Sequence, residues 1–297
     1  MRRNQLCRGA LQVILSSLLM ALVLGACSAP VKRLTGFAKV HDNAKIMFGL
    51  SDFDRSLEYA TELAKADPPT EFTERGQVIS VILMSGLARG YKELAEGYRD
   101  GIEKLKNPSE RPAYSRRRYD YYQYSKTRAL QLAELSTRYL QGQEGYEVKD
   151  FAVELPYPEI EPSVSNQELD RVLEGMHLED PEHTIAELKA IRMCMRRSLA
   201  GALGVEEDNV RAALESGSAR ISNVAFDLFL ARQLVEITGT FGPKGLRENR
   251  TRLAVCDRAD AVVEKALAIL KANPDEDLEK VAADIQKDIE TARKTSS

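Results

Sequence analysis

With 297 residues, 42 lysines and arginines against 45 acids, and a formal charge of −3, the chain is long enough for one large domain or two small ones. Its mildly acidic balance argues against a nucleic-acid partner, which leaves a basic footprint.

Residues 2–8 carry Arg2, Arg3 and Arg8 and no acid, and the apolar run Ala10 to Leu24 follows. A basic start, an apolar core and the small residues Gly25 and Ala26 form the pattern of a secretory signal peptide. The run is too short and too interrupted, by Gln12, Ser16 and Ser17, for a membrane span of about 20 apolar residues. The tetrad Leu24-Gly25-Ala26-Cys27 resembles a bacterial lipobox. That resemblance implies a diacylglyceryl thioether on the Cys27 sulfur, cleavage before Cys27 and acylation of the new N-terminus. An ordinary secretory signal with an incidental cysteine is the competing reading. Ser28, in place of a retaining aspartate, resembles the outer-membrane sorting pattern, with the body on the periplasmic face. Residues 1–26 are thus expected to leave as a signal peptide, and 27–43 to form a lipidated tether. Losing three positive charges moves the formal charge from −3 to −6. No second apolar run reaches membrane-spanning length, so the expected membrane contact is through the acyl chains on Cys27, which bury about 0.8 kcal/mol per methylene.

Cys7 leaves with the signal and Cys27 is alkylated, so Cys194 and Cys256 remain. Outside the cytoplasm the pair can oxidise to a disulfide, or both can stay as buried thiols. Both readings are open in the sequence.

Along the body, Ser51 reads as the N-cap of a first helix with apolar Phe53, Leu57, Ala60 and Leu63, closed by Asp67-Pro68-Pro69. Thr70 starts a long second helix running through Val78, Ile82, Leu87, Leu94, Tyr98 and Ile102. Around Val78–Met84 it is apolar nearly all round, as in a helix buried on several sides. Gly76, Gly86, Gly90, Gly97 and Gly101 recur in it, each costing about 1 kcal/mol against alanine, so close helix contacts or kinks are expected to compensate. After Asn107-Pro108 comes a stretch rich in arginine and tyrosine, Arg111 to Tyr124, leading into a third long helix through Leu132, Leu135 and Tyr139. Interleaved arginine and tyrosine can stack on bases or sugars, or sit at lipid headgroups. The expectation is plainer: one tyrosine face packed, the arginines in solvent, and no nucleic-acid affinity.

Gly142, Gly145, Pro156, Pro158 and Pro162 mark residues 141–166 as loop or short extended structure, a linker between helical halves 44–140 and 167–297. Helices are expected from Ser165 or Asn166, from Pro181 (Ile185, Leu188, Ile191, Met195, Leu199), at Val210–Leu214, and over Ala219–Ile237. A break at Thr238–Pro243 precedes helices at Leu246–Ala272 and Leu278–Arg293. Strand signals are nearly absent, so the fold is expected to be all-α with mostly antiparallel neighbours.

The segment 58–68 (EYATELAKADP) aligns without gaps with 264–274 (EKALAILKANP), repeating Glu, Ala, Lys, Ala and Pro in register. It resembles the second helix of a tetratricopeptide repeat, so the expected body is a tetratricopeptide-like array of antiparallel helical hairpins. The layout of lipobox, long hairpin, Arg-rich helix, Pro-rich middle and closing helix resembles the T-component lipoproteins of tripartite ATP-independent periplasmic transporters. The resemblance implies a body that docks a periplasmic solute-binding protein, with a homo-oligomer and an apolar internal channel.

Little nominates chemistry. His177 and His183 with Glu179, Asp180 and Glu182 could ligate zinc, but a solvated acidic turn of capping groups is the commoner arrangement. Met193-Cys194-Met195 offers soft sulfurs, yet consecutive helical residues point apart. No zinc-protease histidine pair, phosphate-binding glycine loop or Gly-x-Ser-x-Gly occurs, so no catalytic residue, metal or cofactor is expected. The expected function is a non-enzymatic, membrane-tethered binding lipoprotein, docking a transporter solute-binding protein or an apolar small ligand. The alternative is an envelope assembly or scaffold lipoprotein with a protein-interaction surface. An apolar cavity lined by residues 78–98 and 221–235 would favour a small ligand; a wide polar groove would favour a protein client.

Overall fold

The computed structural model describes residues 36–105, 107–142, 147–158, 181–215 and 219–294. The chain divides into two compact units, Met1–Lys39 and Val40–Ser297; of the first, the described residues are 36–39. Nine α-helices and one two-stranded sheet make up the described residues, so the fold is all-α. The lipobox, Cys27 and the signal segment lie outside the described residues, as do His177 and the helix expected from Ser165 or Asn166.

Helix α1 spans Phe37–Gly49, partly within the stretch read as tether. The first helix expected from sequence is the second, α2 (Phe53–Ala64), and its N-cap is Asp52, whose carboxylate accepts from the Arg55 amide at 3.3 Å. Ser51 does not cap it. Its φ of 61° ends α1 instead, with the Ser51 and Asp52 amides donating to the Phe48 and Met47 carbonyls at 2.9 Å each. A two-helix corner this short needs a left-handed residue to stop one helix before a cap can start the next.

The long helix α3 (Glu71–Lys104) starts where the sequence places it. The Thr70 hydroxyl accepts from the Phe72 amide at 3.2 Å, and the Thr73 hydroxyl accepts from the Thr70 amide at 2.9 Å. Burial is unbroken from Val78 to Ala88, because α3 packs against α2, α4 (Arg111–Gly142), α5 (Pro181–Leu203) and α7 (Asn223–Ile237). The glycines permit this. A Cβ on Gly76 would lie 2.5 Å from the Leu63 Cβ of α2, and one on Gly86 2.8 Å from the Met195 sulfur of α5. The Ser198 and Ser125 hydroxyls donate to the Ile82 and Ala88 carbonyls at 2.8 Å each, tying α5 and α4 to the same helix.

Helix α5 buries Ala186, Ala190, Cys194, Met195 and Leu199, while Ile185 and Leu188, expected on its inner face, are exposed. Its first turns lie against tyrosines of α3 and α4, and small alanines fit beneath those rings where Ile and Leu would not.

The stretch Ala219–Ile237 is not one helix. Strand β2 (Ala219–Ser222) pairs antiparallel with β1 (Asp150–Val153), Phe151 facing Ile221. The helix α7 begins after it, with Ser222 as N-cap accepting from the Ala225 amide at 3.2 Å. Asn223 extends the pairing through its side chain, accepting from the Lys149 amide and donating to the Glu147 carbonyl. The described part of the Pro-rich stretch is therefore a core element, with Phe151, Val153 and Leu155 buried. The short α6 (Val210–Leu214), then α8 (Asn249–Ala272) and α9 (Glu276–Lys294), follow the expected pattern. A 3-10 turn, Thr238–Phe241, makes the break before α8, anchored by a 2.8 Å hydrogen bond between the Thr240 and Ser125 hydroxyls.

Candidate docking face around helix α4

Helix α4 buries Tyr114, Tyr121, Tyr122, Ser125, Ala129, Leu132, Leu135, Ser136 and Tyr139, a stripe at helical spacing turned inward. Its other side is left open along the second half. Between α4 and α8 lies a groove of about 420 Å³ with an apolar floor of Leu130, Ala133, Ala254 and Val255. Thr137, Arg138, Thr251 and Arg258 stand around it. Small side chains on both helices, Ala133 and Ala254, leave this space unfilled. Between α2 and α4 a second groove, of about 380 Å³, is charged: Asp54, Glu58 and Glu62 from α2, Lys65 at its C-cap, and Arg128 from α4. A smaller hollow of about 100 Å³ shares Gln131 with the charged groove and Glu134 and Arg138 with the apolar one. Glu134 and Arg138 form an ion pair one turn apart. The result is one strip across α2, α4 and α8, apolar at one side and charged at the other.

The first half of α4 carries the arginine and tyrosine stretch, and it divides by face as expected. Tyr114, Tyr121 and Tyr122 are buried, while Tyr119 and Tyr124 are 59% and 54% exposed. Within, Tyr98 of α3 meets Tyr114 edge-on at 5.3 Å and stacks on Tyr121 at 5.7 Å. The Tyr98 hydroxyl donates to Glu187 of α5, which Arg117 approaches at 3.8 Å. Burial and the neighbouring Glu187 carboxylate push the Tyr98 and Tyr121 hydroxyls far up, and burial lifts Tyr91 to about 12. These phenols stay protonated, so they donate hydrogen bonds and act as no base.

Three groups of ionisable residues lie elsewhere. Arg89, Glu93, Arg197 and Glu207 link in series, with Arg197 to Glu93 at 3.0 Å and to Glu207 at 3.1 Å. Arg89 adds Glu236 of α7 at 2.9 Å, so the series fastens α3, α5 and α7. His41 is buried on the Phe72 ring, 3.9 Å from Glu154, and burial lowers its pKa. Asp227 is 1% exposed in the middle of α7. Neither its carboxylate oxygens nor the Tyr139 hydroxyl completes a well-formed hydrogen bond, though the two groups interact and Lys265 of α8 acts on Asp227 as well. Burial raises the Asp227 carboxyl to about 7. None of the grooves reaches it.

Cys194 and Cys256 are both free and buried. Cys194 faces Gly90 of α3, and burial beside Glu93 raises its thiol well above the usual range. Cys256 packs in the main core on α8. Met193 and Met195 are buried core residues. Among the described residues no cluster of His, Cys, Asp and Glu could hold a metal, and no helix is long and apolar enough to cross a membrane. The grooves themselves were not foreseen, since a gap between α4 and its neighbours depends on residues more than 60 positions apart. Compared with family models, curated proteins and solved structures, the chain matches none of them.

Proposed function

We propose that the chain is a membrane-tethered lipoprotein that works without catalysis, docking a periplasmic protein on the strip across α2, α4 and α8. The observation that carries this reading is the strip itself: two open grooves along one exposed helix, one apolar and one charged, the mixed chemistry of a protein interface. The segments that would enclose an apolar ligand, 78–98 and 221–235, instead pack their buried side chains into the main core and the tyrosine cluster, which favours a protein over a small molecule. Tethering rests on Cys27 and its lipobox, with Ser28 favouring the outer membrane.

The two segments that echo one another end α2 and α8, and each passes through a proline-bearing connection to the next helix, α3 and α9. That recurrence supports a tetratricopeptide-like arrangement. By resemblance to T-component lipoproteins the partner is a transporter solute-binding protein, and the chain a homo-oligomer. The charged α2 groove favours a second reading, an envelope assembly factor with a larger protein client.

Affinity capture of the tagged protein from detergent-solubilised envelope tests the docking. A stoichiometric partner should copurify with the wild type and with Lys280→Ala on α9, and be lost from Ala133→Arg and Ala254→Arg, which fill the apolar groove. Equal recovery with all four would refute the site.

A further inference from the structure

Helix α4 runs on from a 3-10 turn, Pro108–Glu110, which Asn107 caps and which carries Glu110; α4 itself has Arg111 and no acid in its first turn. Arg116, Arg117 and Arg118 follow side by side, repelling one another. From Arg111 to Tyr124 there are four arginines, five tyrosines, one acid (Asp120) and no lysine. A sequence that departs from local stability rules usually does so for function.

The fold neutralises this charge incompletely. Arg117 reaches Glu187 only at 3.8 Å and Arg118 lies over the Tyr122 ring at 5.9 Å. Arg111 and Arg116 are exposed and form no ion pair among the described residues. A second segment carries exposed Lys244, Arg247 and Arg250; the Tyr122 hydroxyl donates to the Lys244 carbonyl at 3.1 Å, and Arg247 donates to the Pro243 carbonyl at 3.2 Å. The acid within that segment, Glu248, is taken by Lys126 at 2.6 Å. The platform beneath is buried: Tyr98 meets Tyr114 edge-on and stacks on Tyr121.

We propose that this surface docks an acidic polypeptide segment, its carboxylates meeting Arg111 and Arg116 and its apolar side chains lying on Tyr119 and Tyr124. Charge complementarity gives the sign of the partner. The residue types give its class: arginine and tyrosine are enriched and lysine depleted at the centres of protein interfaces, and the guanidinium fork matches a carboxylate two-pronged. The inference rests on the docking reading for a protein partner, but its surface is separate from the grooves. Capture by the groove variants tests the one and the titration below tests the other.

The test is fluorescence anisotropy of fluorescein-labelled dodecaglutamate titrated with the detergent-solubilised, processed full chain at low salt. Saturable binding is expected, with none for dodecaglutamine. Arg111→Ala with Arg116→Ala should weaken it about tenfold or more, as should Tyr119→Ala with Tyr124→Ala. Arg111→Lys with Arg116→Lys keeps the charge but loses the fork, and should cost about threefold or more. Lys287→Ala, which removes a distant exposed cation, should change nothing. Wild-type affinity in the lysine pair would reduce the surface to a diffuse field and overturn the proposal. So would tighter binding of dodecathymidylate or of phosphatidylglycerol vesicles than of dodecaglutamate. All these side chains are exposed, so unchanged circular dichroism is expected to accompany each loss.

Discussion

Replacing Asp227 with asparagine removes one buried charge and should change how stability depends on pH. Burial raises the Asp227 carboxyl from 3.8 to about 7, so between those values the native chain holds a proton that the unfolded chain has released. Stability therefore falls as pH rises through this window and levels off above about 7. Three units at about 1.4 kcal/mol each give a loss of roughly 4 kcal/mol across it. Asparagine cannot ionise, and its amide can still meet the Tyr139 hydroxyl. With asparagine equivalent to the protonated carboxyl, the variant should exceed wild type by about 2 kcal/mol near pH 5, where the loss has already begun, and by about 4 kcal/mol near pH 8. His41 acts with the opposite sign, its lowered pKa adding stability as pH rises toward 6.5 and levelling off above it, but it is present in both proteins and cancels in the difference. Urea denaturation followed by circular dichroism, at intervals from about pH 5 to about pH 8, reads the difference directly. Parallel stability curves for the two proteins would refute the buried, protonated carboxyl.

Gly76→Ala should destabilise by about 1–3 kcal/mol, since its Cβ would meet Leu63, the Ala64 amide and the Ala60 carbonyl within 2.8 Å; Gly142→Ala, with nothing within 4 Å, is the control, and equal urea midpoints would contradict the close α2–α3 approach. A clickable palmitate should label the wild type and not Cys27→Ala; labelling of the alanine variant would sink the lipobox, and recovery from inner-membrane fractions alone would remove the outer-membrane sorting. Ellman titration of the unfolded, unreduced mature chain should find two thiols, Cys194 and Cys256; none would mean a bridge, which the chain-entropy treatment values at about 4 kcal/mol.

The long helices were legible because their signals are local. Thr70 caps α3 in the sequence as in the structure, and the apolar run at 78–84 announces a helix buried all round. The break at 238–243 reads equally plainly. Ser51 misled because a cap residue and a left-handed stop use the same side chains one position apart. Strand β2 was hidden by the apolar helix that follows it, since four residues show no period of their own, and their partner, β1, lies about 70 positions away. On α5 the apolar pattern chose Ile185 and Leu188, whereas the tyrosines of α3 and α4 required alanines beneath them. The buried Asp227 had a signal that went unused: a lone acid inside the apolar run of residues 224–231. The grooves beside α4 had none, since they arise from small residues on helices brought together only by folding.

The central claim is that a protein partner sits on the strip beside α4, and site-specific photocrosslinking in intact cells tests it most directly. A benzoylphenylalanine placed at Leu130 or Thr251, at the apolar groove, should give one discrete crosslinked protein, and the same probe at exposed Asp288 on α9 should give none. Identical crosslinking from all three positions, or none from Leu130 and Thr251, would contradict the account.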